Sequence, residues 1–267
     1  MEDDVWGLRG KGAIVTGGGA AGEGIGNGRA ACILLARAGA GVLVVDRDIT
    51  LAERTVAMIA AEGGRAEAAS YDVTDAKACA AMVAHAEHSF GRLDVLDNNV
   101  GIGSRGSVVD VSEAEWQQVM RVNVDSMFLV GKVAVPAMMR AGGGAIVNVS
   151  SISALRPRGL TAYTVSKAAV IGLSKAMAVD HGRDGIRVNC IAPGPVYTPM
   201  VYARGMTDAA RETRRRASVL GIEGTGWDIG QAVRFLLSAQ AKFITGQVLV
   251  VDGGATLVGP SRESQEG

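Results

Sequence analysis

Short apolar segments alternate with longer alanine- and leucine-rich segments along almost the whole of this 267-residue chain. The apolar segments have the length of buried strands, and the segments between them have the spacing of helices. Strands are predicted at residues 13–15, 42–45, 66–71, 95–97, 145–149, 186–191 and 248–251. Helices are predicted at residues 29–38, 50–62, 75–88, 113–139 and 227–238, with one more that contains Tyr163 and ends near residue 181. Such repeats predict a doubly wound parallel sheet, because right-handed crossovers place helices on both faces.

Two details of these helices can be predicted from single residues. Thr50 has the side chain of an N-cap, so the second helix is expected to begin there. Pro136 lies inside the longest helix and is expected to bend it.

The composition favours one domain over residues 1–267, because no change in composition marks a linker. Lys and Arg number 27 and so do Asp and Glu, so there is no electrostatic signal for nucleic acid or an anionic membrane. We therefore expect a small-molecule partner and copies of the chain itself.

The three cysteines are Cys32, Cys79 and Cys190, which are far apart in sequence and lack metal-ligand spacing. Neither a disulfide framework nor a metal site is predicted. The acidic residues at positions 2–4 argue against a targeting peptide, and no apolar run reaches about 18 residues. We expect a cytoplasmic protein.

Candidate ligand-binding residues follow six of the predicted strands. Ligands of parallel α/β sheets bind at the carboxyl ends of the strands, so these residues should converge on one edge. They are the glycines after the first strand, Asp46, Asp72, Asn99, Ser151 and the pair Pro193-Gly194.

The first strand ends in a glycine-rich turn, residues 16–28, that opens a helix. Glycines there let the backbone approach a pyrophosphate, whose charge is stabilised by the helix N-terminus. Asp46 after the second strand would accept hydrogen bonds from ribose hydroxyls and repel a 2′-phosphate, which favours NAD over NADP. Arg47 weakens this preference, since it could pair with that phosphate.

Tyr163 and Lys167 are four residues apart on a predicted helix, so their side chains project from the same face. An ammonium beside a phenol lowers the pKa of the phenol, and a tyrosine with a lowered pKa can exchange protons near neutral pH. The spacing alone is also compatible with an ordinary surface helix.

These motifs together make the chain resemble the short-chain dehydrogenase/reductase family over residues 8–254. The resemblance is carried by the Thr16-Gly17 turn, Asp72-Val73, Asn98 to Gly101, Asn123, Ser150-Ser151, Tyr163, Lys167, Pro193-Gly194 and Thr198. It implies a single Rossmann-type domain that binds NAD, with NADP less favoured, and a homo-oligomer, usually a tetramer.

The resemblance also implies roles for individual residues. Tyr163 would be the general acid/base, Lys167 would lower its pKa and bind the nicotinamide ribose, and Asn123 would support a water next to Lys167. Ser151 would orient the substrate oxygen. The implied cofactor-binding residues are Gly17, Gly24, Ile25, Gly26, Gly28, Asp46, Arg47, Asp72, Val73, Asn99, Val100, Gly101, Tyr163, Lys167, Pro193, Gly194, Val196 and Thr198. For Asp72, a role in a turn is the competing interpretation.

The chain departs from the family pattern at two places. The glycine turn is longer than usual, so the family's Gly-x-Gly could correspond to residues 22–24, 24–26 or 26–28. The usual spacing from Tyr163 points to Ser150 as the substrate serine, whereas the register of the preceding strand points to Ser151. Strand register outweighs loop length, which favours Ser151.

Specificity is expected from residues 199–226, interpreted as a substrate lid, and residues 255–267 form a C-terminal tail. Met200 and Tyr202 on the lid, with Ser153, are candidate substrate contacts. Arginines 211, 214, 215 and 216 are interpreted as a solvated helix face. Arginines 105, 156 and 158 suggest an anionic group on the substrate as a hypothesis.

The predicted function is hydride transfer between NAD(H) and a secondary alcohol or ketone, with no metal required. Two alternatives remain: a dihydrodiol or hydroxyacyl-type dehydrogenase of the same family, and a non-catalytic NAD-binding regulator.

Overall fold

Seven parallel strands form a single sheet in the order β3-β2-β1-β4-β5-β6-β9. The computed structural model describes residues 4–203 and 205–257. The strands of the sheet are β1 Gly12–Thr16, β2 Gly41–Asp46, β3 Arg65–Ser70, β4 Val95–Asn98, β5 Gly144–Val149, β6 Ile186–Pro193 and β9 Val248–Val251, while β7 Val196–Tyr197 pairs with β8 Gly224–Thr225. The strand order reverses between β1 and β4, and that switch point is where such sheets bind ligands.

The helices cover both faces of the sheet. They are α1 Asn27–Arg37, α2 Ile49–Ala61, α3 Ala76–Phe90, α4 Glu113–Met120, α5 Ser126–Arg140, α6 Thr161–His181, α7 Pro199–Tyr202, α8 Asp208–Arg216 and α9 Gly226–Leu237. Side chains of α1, α2 and α9 share one apolar core, and those of α3, α5 and α6 share the other. The predicted doubly wound α/β fold is confirmed.

Helix α2 begins two residues earlier than predicted because Asp48, and not Thr50, is its N-cap. The Asp48 Oδ1 accepts hydrogen bonds from the Thr50 backbone N–H at 3.0 Å and from the Thr50 hydroxyl at 2.7 Å. A carboxylate two residues before Thr50 therefore takes the capping role that the hydroxyl was expected to have.

The longest helix is interrupted by a π-helical turn at residues 121–125, and Pro136 lies inside its second part, α5. Arg121–Asp125 form a π-helical turn between α4 and α5, and it contains the buried Asn123. The combined helix Glu113–Arg140 is long and apolar enough to cross a membrane. Half of its most apolar stretch is buried in this fold, as expected for a helix that packs on a sheet.

The segment predicted as a lid, residues 199–226, is more regular than expected. It contains α7, α8 and the short strand β8. Helix α8 has no buried residue, so little apolar contact holds it to the domain. The predicted C-terminal tail is described as far as residue 257, and residues 258–267 lie outside the described part of the chain.

Candidate active site

A cleft of about 500 Å³ lies at the carboxyl ends of the strands, between the glycine turn and the lid segment. Most residues predicted to meet the cofactor beyond its adenosine end line this cleft. They are Gly17, Gly26, Gly28, Asn99, Gly101, Tyr163, Lys167, Pro193, Gly194, Val196 and Thr198. Gly19 of the glycine turn and Val201 and Ala203 of the lid segment also line the cleft. Residues that the sequence did not suggest as contacts line it as well, among them Ala20, Ala21, Asn27, Ile102, Gly103, Val149 and Arg214.

The glycine turn brings the N-terminus of α1 to the cleft at Gly26. Gly26 is the N-cap and has no side-chain capping bond, so the first backbone N–H groups of α1 are left for a ligand. A Cβ at Gly28 would lie 2.2 Å from the carbonyl oxygen of Gly17, so only glycine allows this approach of helix and turn. Of the three possible Gly-x-Gly positions, 26–28 lies at the helix start.

Gly24 and Ile25 do not line the cleft, contrary to the prediction for cofactor contacts. The Cα of Gly24 faces the lid, because a Cβ there would lie 2.1 Å from the Tyr202 hydroxyl. Ile25 packs against the apolar core. Gly24 and Ile25 thus lie outside the cleft wall, and their predicted contact with the cofactor stays a prediction.

Arg29 holds the inserted turn from inside the protein. It is fully buried, and its guanidinium donates to the carbonyl oxygens of Ala20, Gly22 and Gly24 at 2.9, 2.9 and 2.6 Å. Its Nε donates to the Thr55 hydroxyl at 3.0 Å. Burial lowers the pKa of Arg29, although an arginine remains charged at neutral pH.

Asp46 connects the end of β2 to the glycine turn. Its Oδ2 accepts the backbone N–H of Gly19, which lines the cleft, at 3.1 Å. Arg47 is exposed, and its charge lies near enough to Asp72 to lower the pKa of that carboxyl. The main cause of the lowered pKa is the Thr74 hydroxyl, which donates to Asp72 Oδ1 at 2.7 Å.

Asp72 therefore has the turn role that was the competing interpretation, with its other carboxylate oxygen left for a ligand. Neither Asp72 nor Val73 borders the 500 Å³ cleft, and Val73 is buried in the core between β3 and α3. The residues after β4 are closer: Asn99 Nδ2 donates to the Gly17 carbonyl at 3.2 Å. Val100 packs beside Gly17 but is not part of the cleft wall.

Two consecutive serines after β5 have different surroundings. The Ser150 hydroxyl donates to the Lys167 carbonyl at 2.7 Å, so it is engaged in holding α6 to the sheet. The Ser151 hydroxyl accepts the Ser153 N–H at 3.1 Å, and it opposes the rise that burial causes in the pKa of the Tyr163 phenol. Ser153 is buried and supports Ser151 instead of lining the cleft.

The pKa of Tyr163 differs from the expectation in its direction. Burial raises this pKa, and the Ser151 hydroxyl and the charge of Arg158 oppose the rise. Lys167 Nζ lies 5.8 Å from the centroid of the Tyr163 ring and donates to the Val149 carbonyl at 2.9 Å. Burial lowers the pKa of Lys167 to about 8. In the protein alone, the Lys167 ammonium thus lies near the Tyr163 ring but does not lower the pKa of the phenol.

Asn123 joins the loop after β4 to α6 through its side chain. Its Oδ1 accepts the Ile102 N–H at 2.8 Å, and its Nδ2 donates to the Ile102 carbonyl and the Ser166 hydroxyl, both at 2.9 Å. All amide hydrogens are used. The side chain therefore has a structural role, because it positions the cleft residues 101–103.

The lid segment closes the opposite side of the cleft. Met200 lines it, as predicted, but Tyr202 does not. The Tyr202 ring packs on that of Tyr197 with their centroids 4.7 Å apart, and its hydroxyl approaches Gly24. Tyr202 therefore connects the lid to the glycine turn. Within residues 4–203 and 205–257, no three His, Cys, Asp or Glu side chains are grouped to hold a metal.

Comparisons with known proteins agree with this architecture. A family model described as enoyl-(acyl carrier protein) reductase, of the short-chain alcohol dehydrogenase type, matches residues 18–256. The chain is 40% identical to 2-(S)-hydroxypropyl-CoM dehydrogenase 3 of Xanthobacter autotrophicus, over 91% of this chain and 96% of that protein. It is 39% identical to cyclopentanol dehydrogenase of Comamonas sp., with the same coverage of each chain.

Solved structures show the same fold. A short-chain dehydrogenase/reductase from Burkholderia xenovorans superposes with a TM-score of 0.90 at 37% identity, over 96% of this chain and 100% of that one. A 7α-hydroxysteroid dehydrogenase complexed with NADH and 7-oxo glycochenodeoxycholic acid superposes with a TM-score of 0.86 at 34% identity, over 95% and 98%. The chain belongs to the short-chain dehydrogenase/reductase family.

Proposed function

We propose that this short-chain dehydrogenase/reductase transfers hydride between NAD(H) and a secondary alcohol or ketone, with Tyr163 as the general acid/base. The observation that carries the proposal is the placement of Tyr163, Ser151 and Lys167 around the cleft that also contains the N-terminus of α1. Relatives named for alcohol oxidation, including cyclopentanol and cyclohexanol dehydrogenases, support the same reaction class.

The residues fit a dinucleotide. The uncapped N-terminus of α1 and the absence of a side chain at Gly28 leave room for a pyrophosphate, and Asp46 lies one hydrogen bond from Gly19 of the same turn. A bound nicotinamide cofactor would supply the hydride donor or acceptor. Among the family-implied residues, those of the turn would hold the pyrophosphate and those at 193–198 would flank the nicotinamide.

The protein's own part in the reaction is to orient one oxygen and move one proton. Ser151 would donate a hydrogen bond to the substrate oxygen, and Tyr163 would give a proton to that oxygen during reduction or take it during oxidation. Lys167, held by the Val149 carbonyl, would keep positive charge beside the ring and contact the ribose. The apolar lid residues Met200 and Val201 would limit water in the cleft.

Asp46 supports NAD over NADP. Its partly exposed carboxylate at the end of β2 would repel a 2′-phosphate. Arg47 could have paired with that phosphate, but its positive charge lies near Asp72 and contributes to the lowered pKa of the Asp72 carboxyl. We expect kcat/KM with NAD to exceed kcat/KM with NADP at least tenfold. Asp46→Ala should reduce this ratio, because the carboxylate that would repel the 2′-phosphate is removed.

Tyr163→Phe tests the catalytic assignment. We expect turnover of a secondary-alcohol panel, read at the NADH absorbance, to fall by about 10²–10⁴-fold because the acid/base is lost. NADH binding, measured by calorimetry, should remain within about threefold, because the phenol oxygen is not a phosphate ligand. If the native chain binds NADH but turns over no alcohol or ketone, the regulator becomes the better proposal, and turnover confined to dihydrodiols or hydroxyacyl compounds would favour those activities.

We also propose a homo-oligomer in the cytoplasm. Exposed apolar side chains on the long helices, Phe128 on α5 and Val165 and Val179 on α6, support association. Light scattering that gives a monomer would exclude it. The three cysteines are free and buried, which suits a reducing compartment.

A further inference from the structure

Helix α8 carries four arginines, and three of them are ion-paired among the described residues. Arg211 pairs with Glu223, and Arg215 and Arg216 both pair with Glu212, at 2.7 Å in each case. These three fit the interpretation of the arginine run as a solvated helix face, in which exposed pairs contribute little to stability.

Arg214 differs from its neighbours because it forms part of the wall of the active-site cleft. Its Nη2 donates to the Val196 carbonyl at 3.0 Å, which holds the guanidinium beside the segment that flanks the nicotinamide site. Its Nε is buried and has no hydrogen-bond partner, and no described carboxylate forms an ion pair with it. Glu223 lies near enough for its charge to act on Arg214, but its ion pair is with Arg211. A half-buried cation without an ion pair of its own is unfavourable, so a ligand with negative charge would complement this wall.

Arg158 adds a second positive charge at the same end of the cleft. It is exposed on the loop before α6. Burial lowers the pKa of Arg214 and the charge of Arg158 adds to this effect, while the same charge opposes the rise that burial causes in the pKa of Tyr163. A neighbouring cavity of about 450 Å³ begins at Pro195, between two cleft residues. Arg156, Arg158 and Arg216 line this cavity with apolar residues and no acidic one. The positive potential therefore continues beyond the cleft.

We propose that the substrate carries an anionic group, a carboxylate, sulfonate or phosphate, and that Arg214 binds it in the cleft with Arg158 beside it. The proposal rests on the dehydrogenase function and adds the class of substrate. A guanidinium suits these groups because its donors match two oxygens at once. Arg105, which the sequence had grouped with Arg158, is exposed and lies outside both cavities, so it takes no part.

The test compares ketones that differ in charge. The purified full chain is assayed with NADH and four probes: 4-oxopentanoate, its methyl ester, 3-oxobutane-1-sulfonate and 3-oxobutyl phosphate. We expect kcat/KM for at least one anionic probe to exceed that for the neutral ester about tenfold or more. The anionic probe with the highest kcat/KM identifies which acidic group the site prefers. Arg214→Met should reduce that ratio by about ten- to hundredfold, and Arg214→Lys should keep part of it.

Arg215→Met is the matched control, because this neighbouring arginine faces Glu212 and solvent. It should preserve both the ratio and the rate with the ester. Calorimetry of the same probes with the NAD⁺ complex, in which a ketone cannot be reduced, measures binding separately from turnover. Binding that depends on charge and on Arg214 supports the proposal even if turnover is absent, in which case only the dehydrogenase function is wrong.

Two results would overturn the anion site. In the first, anionic and neutral probes have equal kcat/KM and equal affinity. In the second, Arg214→Met raises KM for NADH and lowers kcat/KM for every probe alike, which would assign Arg214 to the cofactor diphosphate.

Discussion

Tyr163 shows that neighbours on a helix are not always neighbours at the reacting atom. Lys167 is one helical turn away, yet its Nζ lies 5.8 Å from the ring centroid and is bound to Val149. Burial raises the pKa of the Tyr163 phenol, and Ser151 at the end of β5 is the main group that opposes this rise. A hydrogen bond to the charged form of an acid favours ionisation.

Ser151→Ala should therefore shift the pH dependence of alcohol oxidation upward. Oxidation needs ionised Tyr163 to accept the proton, and removal of the hydroxyl raises its pKa. We expect the rising limb of kcat/KM to move to higher pH, in addition to the fall in rate. Ser150→Ala is the control, because its hydroxyl bonds to the Lys167 carbonyl and not to the phenol. If the rising limb of the variant lies at the same pH as that of the native chain, Ser151 does not affect the pKa of Tyr163.

Asp97 is a residue that the proposed reaction does not use. It lies in the middle of β4 between Val15 and Val147 of the neighbouring strands, and neither carboxyl oxygen has a hydrogen-bond partner. Burial raises its pKa to about 8. The folded chain therefore holds a proton on Asp97 over a pH range in which the unfolded chain does not.

Asp97→Val should stabilise the protein, and more so at higher pH. Between about pH 4 and pH 8 folding takes up this proton, so the free energy of unfolding of the native chain falls as pH rises. We expect a gain of about 2–5 kcal/mol at pH 8 and a smaller gain at pH 5, measured by urea unfolding. Asp75→Ala, which removes a surface helix cap, should show no such pH dependence. A gain independent of pH would mean that Asp97 is not protonated in the fold.

At the scale of elements, the start of α1 depends on a residue inside the helix. Arg29 donates to the carbonyls of Ala20, Gly22 and Gly24 in the inserted turn, and Ala20 itself lines the cleft. A longer turn can adopt more conformations, and it loses more conformational entropy when a ligand orders it. The hydrogen bonds from Arg29 restrict these conformations before a ligand binds. The insertion can thus still present backbone N–H groups to a pyrophosphate.

Arg29→Met should weaken cofactor binding more than the chemical step. We expect KM for NAD to rise about tenfold or more with kcat within about threefold, because the turn loses order while Tyr163 and Ser151 are unchanged. Arg54→Met, an exposed arginine on α2, is the control. A change in kcat with KM unaltered would show that Arg29 acts elsewhere.

At the scale of the whole molecule, the cleft lies between a rigid sheet edge and a weakly attached segment. The sheet side consists of buried strand ends and α6, whereas α8 has no buried residue and the lid reaches the glycine turn mainly through Tyr202 and Pro199. Elements with few apolar contacts open most readily. A ligand in the cleft would contact both sides at once.

NADH should therefore slow hydrogen exchange in the segment at residues 199–216 more than in the sheet. We expect amides of α7 and α8 to gain at least about tenfold in protection at saturating NADH, since binding adds to the free energy of opening. Amides of β4 and β5 serve as the internal reference, because these strands are already buried. Equal protection throughout the chain would indicate global stabilisation without closure of a lid.

Much of this molecule could be predicted from sequence because strand and helix periodicity is a local property. The seven strands of the main sheet lie where the apolar segments predicted them, and the residues at their carboxyl ends meet at one edge. Strand register favours Ser151 over Ser150 because it fixes which side chains share a face, and the role of Ser151 toward the substrate stays a prediction. Family motifs supplied the reaction class, which the named relatives support.

What only the tertiary structure decided depends on contacts between residues distant in sequence. The inserted glycine turn is ordered by Arg29 and Tyr202, so spacing within residues 16–28 could not show that Gly24 and Ile25 face away from the cleft. Arg214 looks like its neighbours in sequence, but the path of α8 places it in the cleft. The pKa of Tyr163 depends on burial and on Ser151, and neither effect can be derived from the i, i+4 spacing of Tyr163 and Lys167. Sequence determined the fold and the reaction class, and packing decided which side chains reach the site.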